Sequence, residues 1–92
     1  MNFWRENMNK YDPLENFLKL FHPRQEVIIL PFSAISTIIQ SKLPQSAFTH
    51  RQWWENEEDA SYSQRKAWKN AGWKVNSVNL SEEWVKFTRI KP

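Results

Sequence analysis

The sequence predicts an α+β domain with three to four helices, a short strand among them and a β-hairpin at the C-terminal end. Three observations predict it. Apolar residues recur at helical spacing in stretches before Gly72, a β-branched run at Val27–Phe32 interrupts them, and from Trp73 onward the pattern turns to alternation.

The first helix opens at Tyr11-Asp12-Pro13, with Asp12 expected as N-cap and Pro13 at the first helical position, where its missing N–H costs nothing. Leu14, Phe17, Leu18 and Phe21 follow at i, i+3, i+4 and i+7, and His22-Pro23 ends the run. His22 is expected at the carbonyl end of this helix. Glu26 to Phe32, EVIILPF, is rich in β-branched residues and reads as a strand that Pro31 confines to a sheet edge or terminates. Ser33 is the expected N-cap of a second helix, with Ala34, Ile35, Ile38 and Ile39 on its apolar face. Ser41-Lys42-Leu43-Pro44 breaks it, because the residue before a proline is driven out of the α region.

From Pro44 the spacing is helical again, and Leu43, Ala47, Arg51 and Trp54 share a stripe. Trp54 is therefore the core member of the tandem pair, and Trp53 points about 100° away. Glu55 to Asp59, ENEED, lays acid at the N-terminal end of the next helix, where the helix dipole favours it. That helix is expected from about Ala60 to Ala71. Ala60, Gln64, Ala67, Trp68 and Ala71 fall on its inner side, while Tyr62, Arg65, Lys66 and Lys69 recur on another side, expected to face solvent. Gly72 stands where a helix end wants a residue that tolerates positive φ.

Two strands follow, Trp73 to Leu80 and Trp84 to Ile90, joined through Ser81-Glu82-Glu83. Trp73 and Val75 share one parity and Val78 and Leu80 the other, so a bulge near Asn76-Ser77 is needed to bring both pairs to one face. In the second strand Val85 and Phe87 form the apolar face, with Lys86 and Thr88 opposite. The order helix, strand, helix, helix, helix, strand, strand is that of a winged helix if one of the last two helices is an insertion. Residues 11–92 are read as one winged-helix-like domain, and residues 1–10 as an N-terminal arm.

Composition narrows the function. The chain of 92 residues has six Trp, six Phe and two Tyr, enough aromatic area to stabilise a small core, and no Cys for a disulfide framework or thiolate metal site. No run approaches the ~20 apolar residues of a membrane span, and a cytoplasmic location is expected. Net charge is +3 but unevenly placed: residues 1–60 carry −2 and residues 61–92 carry +5. Such polarity suits a chain whose one end meets phosphate.

A catalytic reading has little to stand on. His50 with Glu55, Glu57, Glu58 and Asp59 is the one cluster that invites a hard-cation site, and its spacing matches no nuclease pattern; the plain reading is a solvated acidic turn. A lone Gly at a helix end forms no phosphate-cradling loop. No metal, cofactor or catalytic residue is assigned, and a non-enzymatic binding domain is expected.

The expected ligand is nucleic acid, with duplex DNA favoured. Tyr62, Arg65, Lys66 and Lys69 would enter the groove, with Arg65 the base reader through its guanidinium fork. Lys74, Lys86, Arg89 and Lys91 would meet phosphates from the hairpin. Two alternatives stay open. One is a protein-interaction module that regulates or inhibits a nuclease or defence system, with Trp53 and Trp84 as anchors. The other is single-strand or RNA binding by stacking on exposed rings.

Several short motifs also carry a resemblance: YDPL at 11–14, LPQSA at 43–47, HRQWWEN at 50–56, SQRKAW at 63–68, AGWKV at 71–75 and VKFTR at 85–89. Together they resemble a family of small bacterial domains of unknown function, found alone or beside nuclease and restriction-type domains. The chain departs from that pattern in having Tyr62 where His is usual and in a longer acidic turn. The resemblance implies no activity, only a neighbourhood of nucleic-acid enzymes.

Overall fold

The computed structural model describes residues 10–55 and 63–91. Four helices and a three-stranded antiparallel sheet follow the expected order: α1 (Asp12–Lys19), β1 (Val27–Pro31), α2 (Phe32–Ile39), α3 (Gln45–Thr49), a 3-10 helix (Arg51–Trp54), α4 (Ser63–Asn70), β2 (Trp73–Asn79) and β3 (Trp84–Arg89). The sheet order is β1-β3-β2, so the last strand lies in the middle and β1 and β2 form the edges. Apart from Lys10, whose ammonium donates to the Lys42 carbonyl at 3.1 Å, the N-terminal arm lies outside the described residues.

Local chemistry moves the helix ends. Tyr11, not Asp12, is the N-cap of α1, its carbonyl accepting the Leu14 and Glu15 N–H groups; Asp12 already lies in the helix, where its charge suits the first turn. His22 does not reach back to the helix carbonyls. Its Nδ1 accepts the Arg24 N–H at 3.0 Å and closes the following turn. In α2 the N-cap is Pro31, with φ −63° and ψ 151°, and Ser33 sits inside the first turn with no capping bond. The Phe32 N–H is satisfied from the hairpin instead, by the Glu83 carbonyl at 2.8 Å. Gln40 then ends α2 in the left-handed region at φ 55°, with the Ser41 N–H bonded to the Ser36 carbonyl.

The helix expected from Pro44 through Trp54 is broken at His50, whose φ −124° and ψ 110° are extended. An unbroken helix would place Ala47 and Trp54 about 10 Å apart along its axis. The break folds the chain back, and the buried Trp54 indole donates to the Ala47 carbonyl at 2.8 Å. Trp54 is 1% exposed, as its stripe position predicts. Its ring stacks on Phe32 at 4.8 Å and on Trp68 at 6.0 Å, and Trp68 meets Phe87 of the sheet at 5.6 Å. This column of rings joins α2, the 3-10 helix, α4 and β3. Trp73 is fully buried beside it, its indole donating to the Leu18 carbonyl at 3.0 Å.

The bulge is present. Val75 pairs with Phe87 and Ser77 with Lys86, leaving Asn76 as the extra residue. Val85 and Phe87 are fully buried and Val78 is 7% exposed, so both halves of β2 meet the core. Gly72 has φ +89°, and an added Cβ would come no nearer than 3.8 Å to the Arg89 guanidinium. The glycine is required by its backbone angle and not by crowding.

Candidate nucleic-acid interface

The basic helix sits deeper than its periodicity predicts. Gln64, Ala67 and Trp68 of α4 are buried, as expected, but Arg65 is buried as well, at 7% exposure. It cannot serve as a base reader. The helical wheel gives the reason: with 100° per residue, the buried arc runs roughly 160° from Ala67 through Ala71, Gln64 and Trp68 to Arg65. It is that wide because α4 packs against α1 and β2 and is also hydrogen-bonded to the 3-10 helix. The Gln64 side-chain amide donates to the Trp53 carbonyl at 3.3 Å, and Arg65 Nη2 donates to the Gln52 carbonyl at 2.6 Å. Arg65 also lines a small cleft with Ser46, His50, Gln52 and Trp53.

What remains outward on α4 is Lys66, Lys69 and Asn70, all exposed. Described α4 carries no acid. Tyr62 lies outside the described residues, as do Ala60 and the acidic turn from residue 57 to residue 59.

Arg89 is the second correction. The strand parity that sends Val85 and Phe87 inward sends Arg89 the same way, a signal the sequence contained. Its guanidinium lies 4.0 Å over the Trp73 ring and donates to the Gln25 carbonyl at 3.2 Å and the His22 carbonyl at 2.9 Å. It braces the loop before β1 and is not held out for phosphate. Lys91 pairs with Glu26 at 2.8 Å. That partnership holds the Glu26 carboxyl below its usual range and raises the Lys91 ammonium, first through the hydrogen bond and then through the charge.

Lys74 and Lys86 do reach the outer face of the sheet, Lys74 exposed and Lys86 half-buried. Lys74 lies opposite Thr88, and Lys86 opposite Ser77. Lys66 and Lys69 belong to the helical layer on the other face, so the predicted contacts among the described residues do not form one surface. The hairpin tip is also unlike a phosphate-binding wing. Ser81, Glu82 and Glu83 are exposed, the two glutamates making the tip acidic, and the Glu83 carbonyl is tied to the start of α2.

The tryptophans proposed as anchors divide too. Trp53 is half-buried, edge-on to Tyr11 at 6.0 Å and to Trp54 at 4.6 Å, which makes it part of the packing. Trp84 is half-buried on the outer sheet face, opposite Pro31 and Asn79. Sequence reasoning overlooked its neighbours there: Ile29 at 56% and Val27 at 40% exposure, apolar side chains on the same face. EVIILPF is apolar at every position after Glu26, so its sequence gives no sign of which side chains face out.

A cleft of about 300 Å³ lies between the 3-10 helix and the bulge, lined by Arg51, Trp54, Glu55, Val75, Asn76, Ser77 and Val78. Arg51 spans it, donating from Nη1 to the Val78 carbonyl at 2.7 Å. His50 is exposed with its Nδ1 2.7 Å from the Thr49 hydroxyl. Among the described residues, no three His, Cys, Asp or Glu side chains come together as a metal site, and no helix is long and apolar enough to cross a membrane.

The model of a family described as a domain of unknown function (DUF7662) matches residues 11–90, and the chain belongs to that family. No curated protein and no solved structure matches it.

Proposed function

We propose that this DUF7662 member is a non-catalytic, cytoplasmic domain that binds duplex DNA through phosphate contacts without reading bases. The observation that carries the reading is the outward arc of α4, where Lys66 and Lys69 stand exposed in the winged-helix order. Resemblance to domains found beside nuclease and restriction-type domains supports it by analogy. Base reading drops out because the one groove-facing guanidinium is packed inside, and lysines position a protein on DNA more than they specify sequence.

Two to four neutralised phosphates give an affinity whose logarithm falls with log salt at a slope of roughly −2 to −4. Gel shifts at a series of salt concentrations, with duplex, single strand and RNA, test this directly. Lys66→Glu with Lys69→Glu should abolish the shift and leave unfolding unchanged. A shift that survives the double substitution, or one insensitive to salt, removes the reading.

The protein-interaction alternative, regulation or inhibition of a nuclease or defence system, is favoured by a different observation: Ile29 and Val27 are exposed on the outer sheet face that Trp84 shares. Failure of every nucleic acid to bind at low salt would leave that reading standing.

A further inference from the structure

The two edges of the sheet are protected very differently. Hydrogen bonds fix which way each backbone group points. Arg89 N–H donates to the Glu26 carbonyl at 2.9 Å and Phe32 N–H to the Glu83 carbonyl at 2.8 Å, so in the β1–β3 register the even residues of β1 face β3. The N–H and C=O groups of Val27 and Ile29, and the C=O of Pro31, therefore point to the open edge. Pro31 is tolerated in the strand for this reason: the N–H it lacks would have faced away from the ladder. On β2, the Ile90 N–H bond to the Gly72 carbonyl at 2.9 Å sets the opposite phase, and Val78 faces outward. That edge is interrupted by the Asn76 bulge, and Arg51 occupies the Val78 carbonyl. Bulges and capping side chains are how sheets prevent strand addition.

β1 has no bulge, and its guards stand only at its two ends, Gln25 on the Val27 carbonyl and Pro31 with no N–H to offer. Its residues VIILP carry no charge, and its outward side chains Val27 and Ile29 are exposed. One acceptor is already used: the Gln25 side-chain amide donates to the Val27 carbonyl at 2.7 Å.

We infer that β1 is a self-association edge, where two copies of this chain pair antiparallel about Ile29. The donors and acceptors along the edge select this occupant. With Ile29 opposite the second copy's Ile29, each N–H meets the other's C=O. Val27 then lies opposite Pro31 of the second copy, and its N–H donates to the proline carbonyl. The one donor missing from the pattern, at Pro31, falls opposite the one acceptor already filled, at Val27. No outward group of the strand is left orphaned, and the outer face gains Ile29 against Ile29 and Val27 against Pro31 with no charge between them. The paired sheets form one continuous antiparallel sheet. An interface one short strand long is small, so the dissociation constant is expected on the order of 100 µM.

Sedimentation velocity on the full chain, from about ten-fold below to ten-fold above that concentration, should show the mean mass rising from monomer toward dimer. Amide exchange at Ile29 should slow at least ten-fold over the same range. Two variants test the geometry. Ile29→Pro removes the outward N–H without touching the β1–β3 ladder, and Ile29→Lys places two ammonium groups face to face. Each should weaken association at least ten-fold, and Ile29→Lys, a change on a solvent-facing side chain, should retain the wild-type circular dichroism even with the new ammonium opposite Lys86. A chain that stays monomeric throughout overturns the proposal, as does a dimer that both variants leave intact. DNA binding plays no part in this test.

Discussion

The seam where α4 meets the 3-10 helix and the outward arc of the same helix carry the same sign of charge and do opposite things with it. At the seam, Arg65 is 7% exposed and donates to the Gln52 carbonyl at 2.6 Å. One residue later, Lys66 stands in solvent. Arg89 and Lys74 repeat the contrast at the far end of the sheet, the guanidinium stacked on Trp73 and the ammonium exposed. A guanidinium is planar, weakly hydrated and able to serve several carbonyls from one fork, whereas an ammonium is a compact, strongly hydrated charge that stays wet. In this C-terminal third, basic residues counted together divide into braces and candidate contacts.

Three measurements would break or sharpen that division. Removing the largest brace should have the largest effect: Arg65→Ala loses a buried side chain and its carbonyl bond, about 2–3 kcal/mol, which in a domain this size lowers Tm by roughly 10–20 °C. Lys66→Ala should stay within about 0.5 kcal/mol of wild type. Equal effects of the two in thermal unfolding would erase the distinction. Next comes Arg89→Lys, which keeps the charge and loses the fork over Trp73; about 1–2 kcal/mol by urea unfolding is expected, and full tolerance would mean that charge alone holds the loop before β1.

The smallest effect belongs to the Glu26–Lys91 pair, solvent-exposed at 2.8 Å. Glu26 titrates below its ordinary 4.5, so its contribution is present above that pH and fades as pH falls through the lowered value. Lys91 titrates above its ordinary 10.5, so its contribution is complete below that pH and fades only as pH rises further. Both groups are fully exposed and screened, and Glu26→Gln should melt with the wild type across the neutral range. A clear drop in its melting temperature relative to wild type at neutral pH, with the gap closing in acid as the wild type loses the pair, would show that this surface pair braces the fold after all.

Much of the architecture was readable in advance because it follows from local rules. Parity demanded a bulge near Asn76, and one is there. Gly72 has the positive φ its place after a helix requires, and Trp54 fills the core position its stripe assigned. Arg89 was readable too, since it shares parity with Phe87, but charge was given more weight than periodicity. Other features had no local signal. Gln40 adopts a left-handed cap without glycine, and His50 breaks a stretch that reads as one helix, which lets the Trp54 indole reach back to the Ala47 carbonyl.

Spacing and composition by themselves determined the element order, the alternation of the two C-terminal strands and the aromatic core, because those depend on neighbours within a turn or a pleat. Tertiary structure alone decided that Arg65 is interior and that β1 leaves its odd backbone groups facing outward. A helical wheel gives the direction of a side chain but not the width of the surface packed against it. A strand's pattern likewise tells which side chains share a face, while the direction of its hydrogen bonds is fixed only when a distant strand docks beside it.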